Sequence, residues 1–277
     1  FPRCSRPATG PFQVPQPVNE SHGRCVVVGT SRAGGAFSRA LAAAGWVVTS
    51  VPARPITANT ASEQELTELA EQVARADVVF IAVSDAALGT VAAALPESSA
   101  LYIHASGASG LDLLAPHQRV GSLHPLMSLP DAETGARRLL DHCTFAIDGD
   151  PLLRDIVESL GGQAVEVAPS QRAAYHAAAT IAANHLTALC AQIERLAEEV
   201  GVPVEAYWSM MSNTLDNVAA GGAADALTGP AARADWVTIR AHLASLPSDD
   251  DRRLYRACCA AAARLAGHQV PADIDGP

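Results

Sequence analysis

Two short polar clusters interrupt an otherwise apolar stretch of the sequence, and both carry histidine. His104-Ala105-Ser106-Gly107 follows one β-rich run, and His124-Pro125-Leu126-Met127 follows the next. An imidazole exchanges protons near neutral pH, and a serine hydroxyl can orient an oxygen undergoing reaction. The clusters therefore suit proton transfer to or from a carbonyl or alcohol during hydride transfer. A single histidine at a strand end is more often structural, but two at successive ends make a catalytic role for at least one as good a reading as a structural one.

Further along, Tyr175-His176 is followed by Asn184-His185. At about 100° per residue, His176, Thr180 and Asn184 fall on one drifting polar stripe of an Ala-rich helix, with Tyr175 and His185 on the other side. The stripe either faces a cofactor cleft or supplies interhelical hydrogen bonds. Leu227-Thr228-Gly229-Pro230-Ala231-Ala232-Arg233-Ala234-Asp235 is another polar knot. It reads as a turn held by an Arg233–Asp235 pair, or as a place where Arg233 clamps a substrate carboxylate bidentately.

Cofactor chemistry is suggested nearer the start. The stretch CVVVGTSRAGGAFSRALAAAGWVVTSV reads as strand, tight turn, Ala-rich helix, glycine and strand. A dinucleotide loop needs glycine for the turn, a small residue where backbone meets pyrophosphate, and glycine where helix packs on strand. Gly29 and Gly34 fill the first and third positions, with Thr30, Ser31, Arg32 and Ala33 between them. Ser31 departs from the usual second glycine, and either crowds the pyrophosphate or donates a hydrogen bond to it. Val83 and Ser84, at the end of the third strand, complete the candidate cofactor contacts. The second strand ends Thr49-Ser50-Val51-Pro52-Ala53-Arg54, without the acid that meets the ribose of NAD. Arg54, with Arg32 in the turn, could instead meet a 2′-phosphate, which favours NADP.

These residues require a sheet to present them. Strands are expected at Cys25–Gly29, Trp46–Val51, Val78–Val83, Leu101–His104, Val120–His124, Thr144–Ile147 and Ala164–Val167, as nearly continuous apolar runs. Helix starts lie between them, including a capping box at Ser62-Glu63-Gln64-Glu65 and an Asp150-Pro151 start. The alternation predicts an α/β fold, a doubly wound and mostly parallel Rossmann sheet, followed by an all-α C-terminal domain. Residues 1–23 are Pro-rich and read as a disordered extension, with no signal-peptide pattern. Residues 24–168 form the dinucleotide-binding domain, 169–268 a helical substrate and dimerisation domain opening with one long helix over Gln171–Val200, and 269–277 a tail.

Composition narrows the function further. Of 277 residues, 49% are hydrophobic and 17% charged, which fits a globular chain. A net charge of -10 disfavours nucleic acid or an anionic membrane as partner, and no apolar run is long enough to span a bilayer. All 19 basic residues are Arg, so Schiff-base chemistry and a lysine general acid are excluded. Six cysteines show no CxxC spacing, so scattered reduced thiols, a cytoplasmic location and no metal site are expected.

Taken together, HASGA, GSLHPLMS, YHAAATIAANHL and LTGPAARAD resemble a family that joins a Rossmann-like NADP oxidoreductase domain to the helical domain of unknown function 2520. The likeness runs over about residues 24–265. The family resembles a branch of the 6-phosphogluconate dehydrogenase-like superfamily. That implies oxidation or reduction of small keto, hydroxy or imino acids and a homodimer built through the helical domain. Ala234 stands where the family has Gly, and Ser31 departs from its loop. Some superfamily members use a lysine on the long helix, which cannot apply here. GSLHP is similar to the prephenate dehydrogenase segment that carries the catalytic histidine, with a serine on the preceding strand end. The resemblance thereby implies His124 as general acid/base and Ser106 as its orienter; the polar clusters add His104, His176 and Asn184 as residues expected around them. A small-molecule carboxylate is the expected substrate, with ketopantoate one candidate, because the architecture resembles ketopantoate reductases. The competing readings are a catalytically silent dinucleotide-binding or regulatory protein and a deazaflavin (F420)-linked reductase.

Overall fold

The computed structural model describes residues 22–53, 56 and 60–276. Arg54 and the Pro-rich stretch up to Ser21 lie outside these residues. Two compact units result, one ending at Asn184 and the other beginning at His185.

The first unit is built on seven strands: β1 (Arg24–Val28), β2 (Val47–Val51), β3 (Val78–Ile81), β4 (Leu101–His104), β5 (Val120–Pro125), β6 (Thr144–Gly149) and β7 (Gln163–Glu166). Their order is β2-β1-β3-β4-β5-β6-β7. β1 through β5 are parallel, β6 runs antiparallel to β5, and β7 is parallel to β6. The continuous apolar runs VVFI and LYIH become β3 and β4, in which every residue is buried. Such runs suit strands covered on both faces. The cover comes from helices that include, among the described residues, α1 (Arg32–Ala43), α2 (Glu63–Ala74), α3 (Asp85–Ala94), α4 (Ala132–Leu139) and α5 (Leu152–Ser159).

Side chains alternate across the sheet as the pleat requires. Val27, Phe80, Ile103, Leu123 and Phe145 pack with α1, α4 and α5 on one face. Val26, Val79, Ile81 and Tyr102 pack with α2 and α3 on the other. Each large apolar side chain buried in this way contributes about 1.5–3 kcal/mol. Cys25 and Cys143 lie in the first of these cores, where burial pushes their thiols up to about 12 and about 11. Those thiols are inert packing groups.

The β pattern ends at Glu166, and a 3-10 turn at Pro169–Gln171 leads into α6 (Arg172–Thr180). The compact units divide later than the 168/169 boundary read from the sequence, because α6 pairs Arg172 and Tyr175 with the sheet. The expected single helix over Gln171–Val200 contains a π turn at Ile181–His185 before α7 (Leu186–Val200). The second unit continues through α8 (Val204–Gly221), α9 (Ala223–Ala226), α10 (Trp236–Ser245), α11 (Asp249–Leu265) and α12 (Ala272–Asp275). Ile239, Leu243, Leu246, Cys259 and Ile274 form its core. Ser248 caps α11 by accepting from the Asp251 amide at 3.0 Å.

Candidate active site

The chain passes from β2 across β1 to β3, so crossovers leave β1 in opposite directions. Such a switch point opens a crevice between the carboxyl ends of β1 and β3. The Gly29–Gly34 turn lies there. Gly29 has φ +116°, and a Cβ on it would stand 2.4 Å from the Ala82 carbonyl oxygen at the end of β3. A Cβ on Gly34 would stand 2.0 Å from the Gly29 oxygen. Both positions therefore demand glycine, and Val83 is brought against the same turn. Ser84 caps α3 by position, exposed at the same end of the sheet. Ser31 caps α1: its Oγ accepts from the Gly34 amide at 3.3 Å and donates to the Ala82 oxygen at 3.1 Å. The hydroxyl thus serves the turn itself, an outcome that neither sequence-based alternative for Ser31 contained. Arg32 is exposed at the first helical position, followed by Ala33.

A polar row crosses the sheet beside this crevice. Register places His104 on β4 next to Ser122 on β5, and Ser122 opposite Asp148 on the antiparallel β6. Arg172 of α6 lies against the row and is itself buried. Its Nη1 donates to Ser122 Oγ at 3.0 Å and its Nη2 to Asp148 Oδ2 at 2.9 Å. Two residues beyond Ser122, on the same face of β5, stands His124. One turn along α6 from Arg172 stand Tyr175 and His176, at helical i+3 and i+4 spacing.

These residues meet. His124 Nδ1 and Tyr175 Oη are hydrogen-bonded at 2.6 Å, with the rings perpendicular. The His124 and His176 rings are edge-to-face at 5.8 Å. Gly107 lets them approach: a Cβ there would lie 2.5 Å from His176 Nδ1 and 2.8 Å from His124 Nε2. His104 Nδ1 accepts from the Ser106 amide at 3.1 Å, while its Nε2 is buried on the side of the Gly110 backbone. Ser106 Oγ accepts from the Ala108 and Ser109 amides at 3.2 and 2.9 Å, which shapes the turn and leaves its own proton to donate.

Burial pushes both strand-end imidazoles down to about 4, with the Arg172 charge adding to the effect on each and His176 adding to that on His124. At neutral pH both are uncharged, one N–H and one lone pair each. Burial raises the Tyr175 phenol, so it keeps its proton. His104, His124 and Tyr175 can therefore orient and hydrogen-bond a polar atom without carrying charge of their own.

The structure gathers His104, Ser106, His124 and His176 at the ends of β4 and β5. Asn184 lies exposed within the π turn. Tyr175, placed on the far side of the expected polar stripe, belongs to the cluster. Arg172, Asp148 and Ser122 were not singled out by sequence; a polar residue within each of the runs VGSLHP and TFAIDG was the available signal. Asp235 caps α10, its two oxygens accepting from the Thr238 amide and hydroxyl at 3.1 and 2.7 Å. Ala234 adopts φ +53°, the left-handed conformation in which glycine is favoured.

Comparison with known proteins agrees with this architecture. A solved candidate NADP oxidoreductase of Bacteroides fragilis superposes with a TM-score of 0.69 at 21% identity, covering 87% of this chain and 98% of its own. A Thermotoga maritima protein gives 0.65 at 23% identity, covering 88% and 98%. Plasmodium falciparum pyrroline carboxylate reductase, solved with NADP bound, gives 0.55 at 13% identity, covering 89% and 99%. At these identities the likeness shows the fold. None of the curated proteins matches the sequence. Residues 13–130 match the Rossmann-like domain family and residues 143–262 the family called domain of unknown function 2520. The chain is therefore a Rossmann-like domain joined to a domain of unknown function 2520.

Proposed function

We propose that this chain is an NADP(H)-dependent oxidoreductase that transfers a hydride to or from a small keto, hydroxy or imino acid. The observation that carries the reading is the β1–α1 turn, in which two glycines admit no Cβ at the switch point of the sheet. That cradle fits a dinucleotide. With the Gly34 amide taken by Ser31, the Arg32 and Ala33 amides of the first turn remain for pyrophosphate oxygens. NADP is preferred over NAD because β2 ends Ser50-Val51 and continues Pro52-Ala53, without a carboxylate for the ribose. The Plasmodium reductase, which holds NADP in a similar fold, supports this by analogy.

When bound, the nicotinamide would supply or accept the hydride. His124 is the group assigned to the reacting oxygen, held by Tyr175 and spaced by Gly107. His104 and Ser106 order the neighbouring strand end, and Arg172 fixes α6 to the sheet. The helical unit pairs with a second copy of the chain in this reading, supported by α8, an 18-residue helix with no buried residue. Scattered free thiols suit a cytoplasmic location. No helix among the described residues is long and apolar enough to cross a membrane.

The test is turnover of a panel of small 2-keto acids, ketopantoate included, with NADPH. His124→Asn should lower kcat by about 10² to 10⁴ with NADPH binding nearly intact, and His104→Asn should cost less. An active His124→Asn protein beside a dead His104→Asn one would move the chemistry to β4.

A further inference from the structure

We infer that Tyr175 is the positioning residue of His124: its hydroxyl donates to Nδ1 and keeps the imidazole proton on Nε2, which makes His124 a neutral hydrogen-bond donor suited to a ketone oxygen and not to an iminium nitrogen. The inference rests on the proposal that His124 meets the reacting atom of the substrate.

Acceptor strength gives the direction of the hydrogen bond, and the contact geometry is compatible with it. At 2.6 Å the Tyr175–His124 contact is short and compatible with an O–H donor. An unprotonated imidazole nitrogen is also a far better acceptor than a phenol oxygen. His104, the companion at the end of β4, is fixed in the same tautomer by a donor with no choice of direction, since the Ser106 backbone N–H meets its Nδ1. The surroundings keep His124 uncharged: burial, His176, Arg172 and His104 all oppose its protonation, with Asp85 acting the other way.

The nitrogen left carrying the proton is Nε2, which is the one facing Gly107 and His176. As a hydride reaches a carbonyl carbon, negative charge develops on the oxygen, and a fixed Nε2–H donates to it. The hydrogen stays on Nε2, and water supplies the proton that completes the alcohol. A protonated imine has no lone pair at that position and would set N–H against N–H. The tautomer thus selects keto acids over imino acids.

Long-range ¹H–¹⁵N spectra of the histidine-labelled full chain at pH 7 read the tautomer directly. His124 is assigned by loss of its signals in His124→Asn or, should that variant not fold, by its contacts with the Tyr175 ring. The expected result is a protonated Nε2 and a bare Nδ1 on both His124 and His104. Tyr175→Phe should convert His124 to a tautomer mixture while leaving His104 unchanged. A proton on Nδ1, or an imidazolium, in the wild type would overturn the inference, as would a His124 spectrum indifferent to Tyr175→Phe. An NADPH melting shift on the same sample reports separately on the cofactor proposal, so either idea can fail alone.

Discussion

Replacing Arg172 with Met would remove the guanidinium that joins α6 to the polar row on the sheet. The side chain is 8% exposed, and its partner Asp148 is 21% exposed. The substitution keeps most of the apolar stem but leaves the carboxylate and the Ser122 hydroxyl without their donor. Breaking a buried pair from one side costs about 3–5 kcal/mol, because the remaining charge stays desolvated. Since Asp148 keeps some contact with water, the lower end, about 3 kcal/mol, is expected. Removing both charges should be far milder, so Arg172→Met/Asp148→Asn should regain at least about 1.5 kcal/mol in a double-mutant cycle. Urea denaturation, following the transition of the sheet unit, supplies the four free energies. A single variant within about 1 kcal/mol of wild type, or a cycle additive within about 0.5 kcal/mol, would refute the argument that this pair anchors α6.

Three further predictions follow from the same geometry. His104 and His124 titrate at about 4 in the fold and near 6.5 unfolded, so the unfolded chain binds their protons first as pH falls. Stability should therefore drop between about pH 6.5 and 4, with a slope approaching about 1.4 kcal/mol per pH unit for each histidine; equal urea midpoints at pH 6.5 and 5 would contradict this. Gly107→Ala should destabilise by about 1–3 kcal/mol through overpacking against the two imidazoles, and a variant as stable as wild type with unshifted His124 and His176 resonances would count against the contact. Micromolar sedimentation should show a homodimer that Met210→Glu, at a position 59% exposed on α8, converts to monomer; a monomeric wild type would end that proposal.

The sheet was legible because strands buried on both faces leave continuous apolar runs, and VVFI and LYIH need no partner to be recognised. Caps were legible for a similar reason. The Ser62 capping box is a local pattern, and the structure forms both of its hydrogen bonds. The reversal at β6 was not legible, since Thr144–Gly149 looks the same whether it pairs parallel or antiparallel. Ser122 and Asp148 become neighbours only through that pairing, so the site of Arg172 could not be found by spacing. The π turn also left no local mark in the sequence. His104 and His124 were readable because histidine at the end of an apolar strand is conspicuous. Tyr175 was missed because its partner lies on a different element, 51 residues away.

The central claim, a nicotinamide dinucleotide held at the Gly29–Gly34 turn, is tested most directly by melting the full chain with NADPH, with NADH and with neither. At 100 times its dissociation constant a ligand adds about 2.7 kcal/mol to folding stability. NADPH should give a clear rise in Tm, and NADH at the same concentration a smaller one. No shift with either dinucleotide would contradict the account, and a larger shift with NADH would overturn the assignment of NADP.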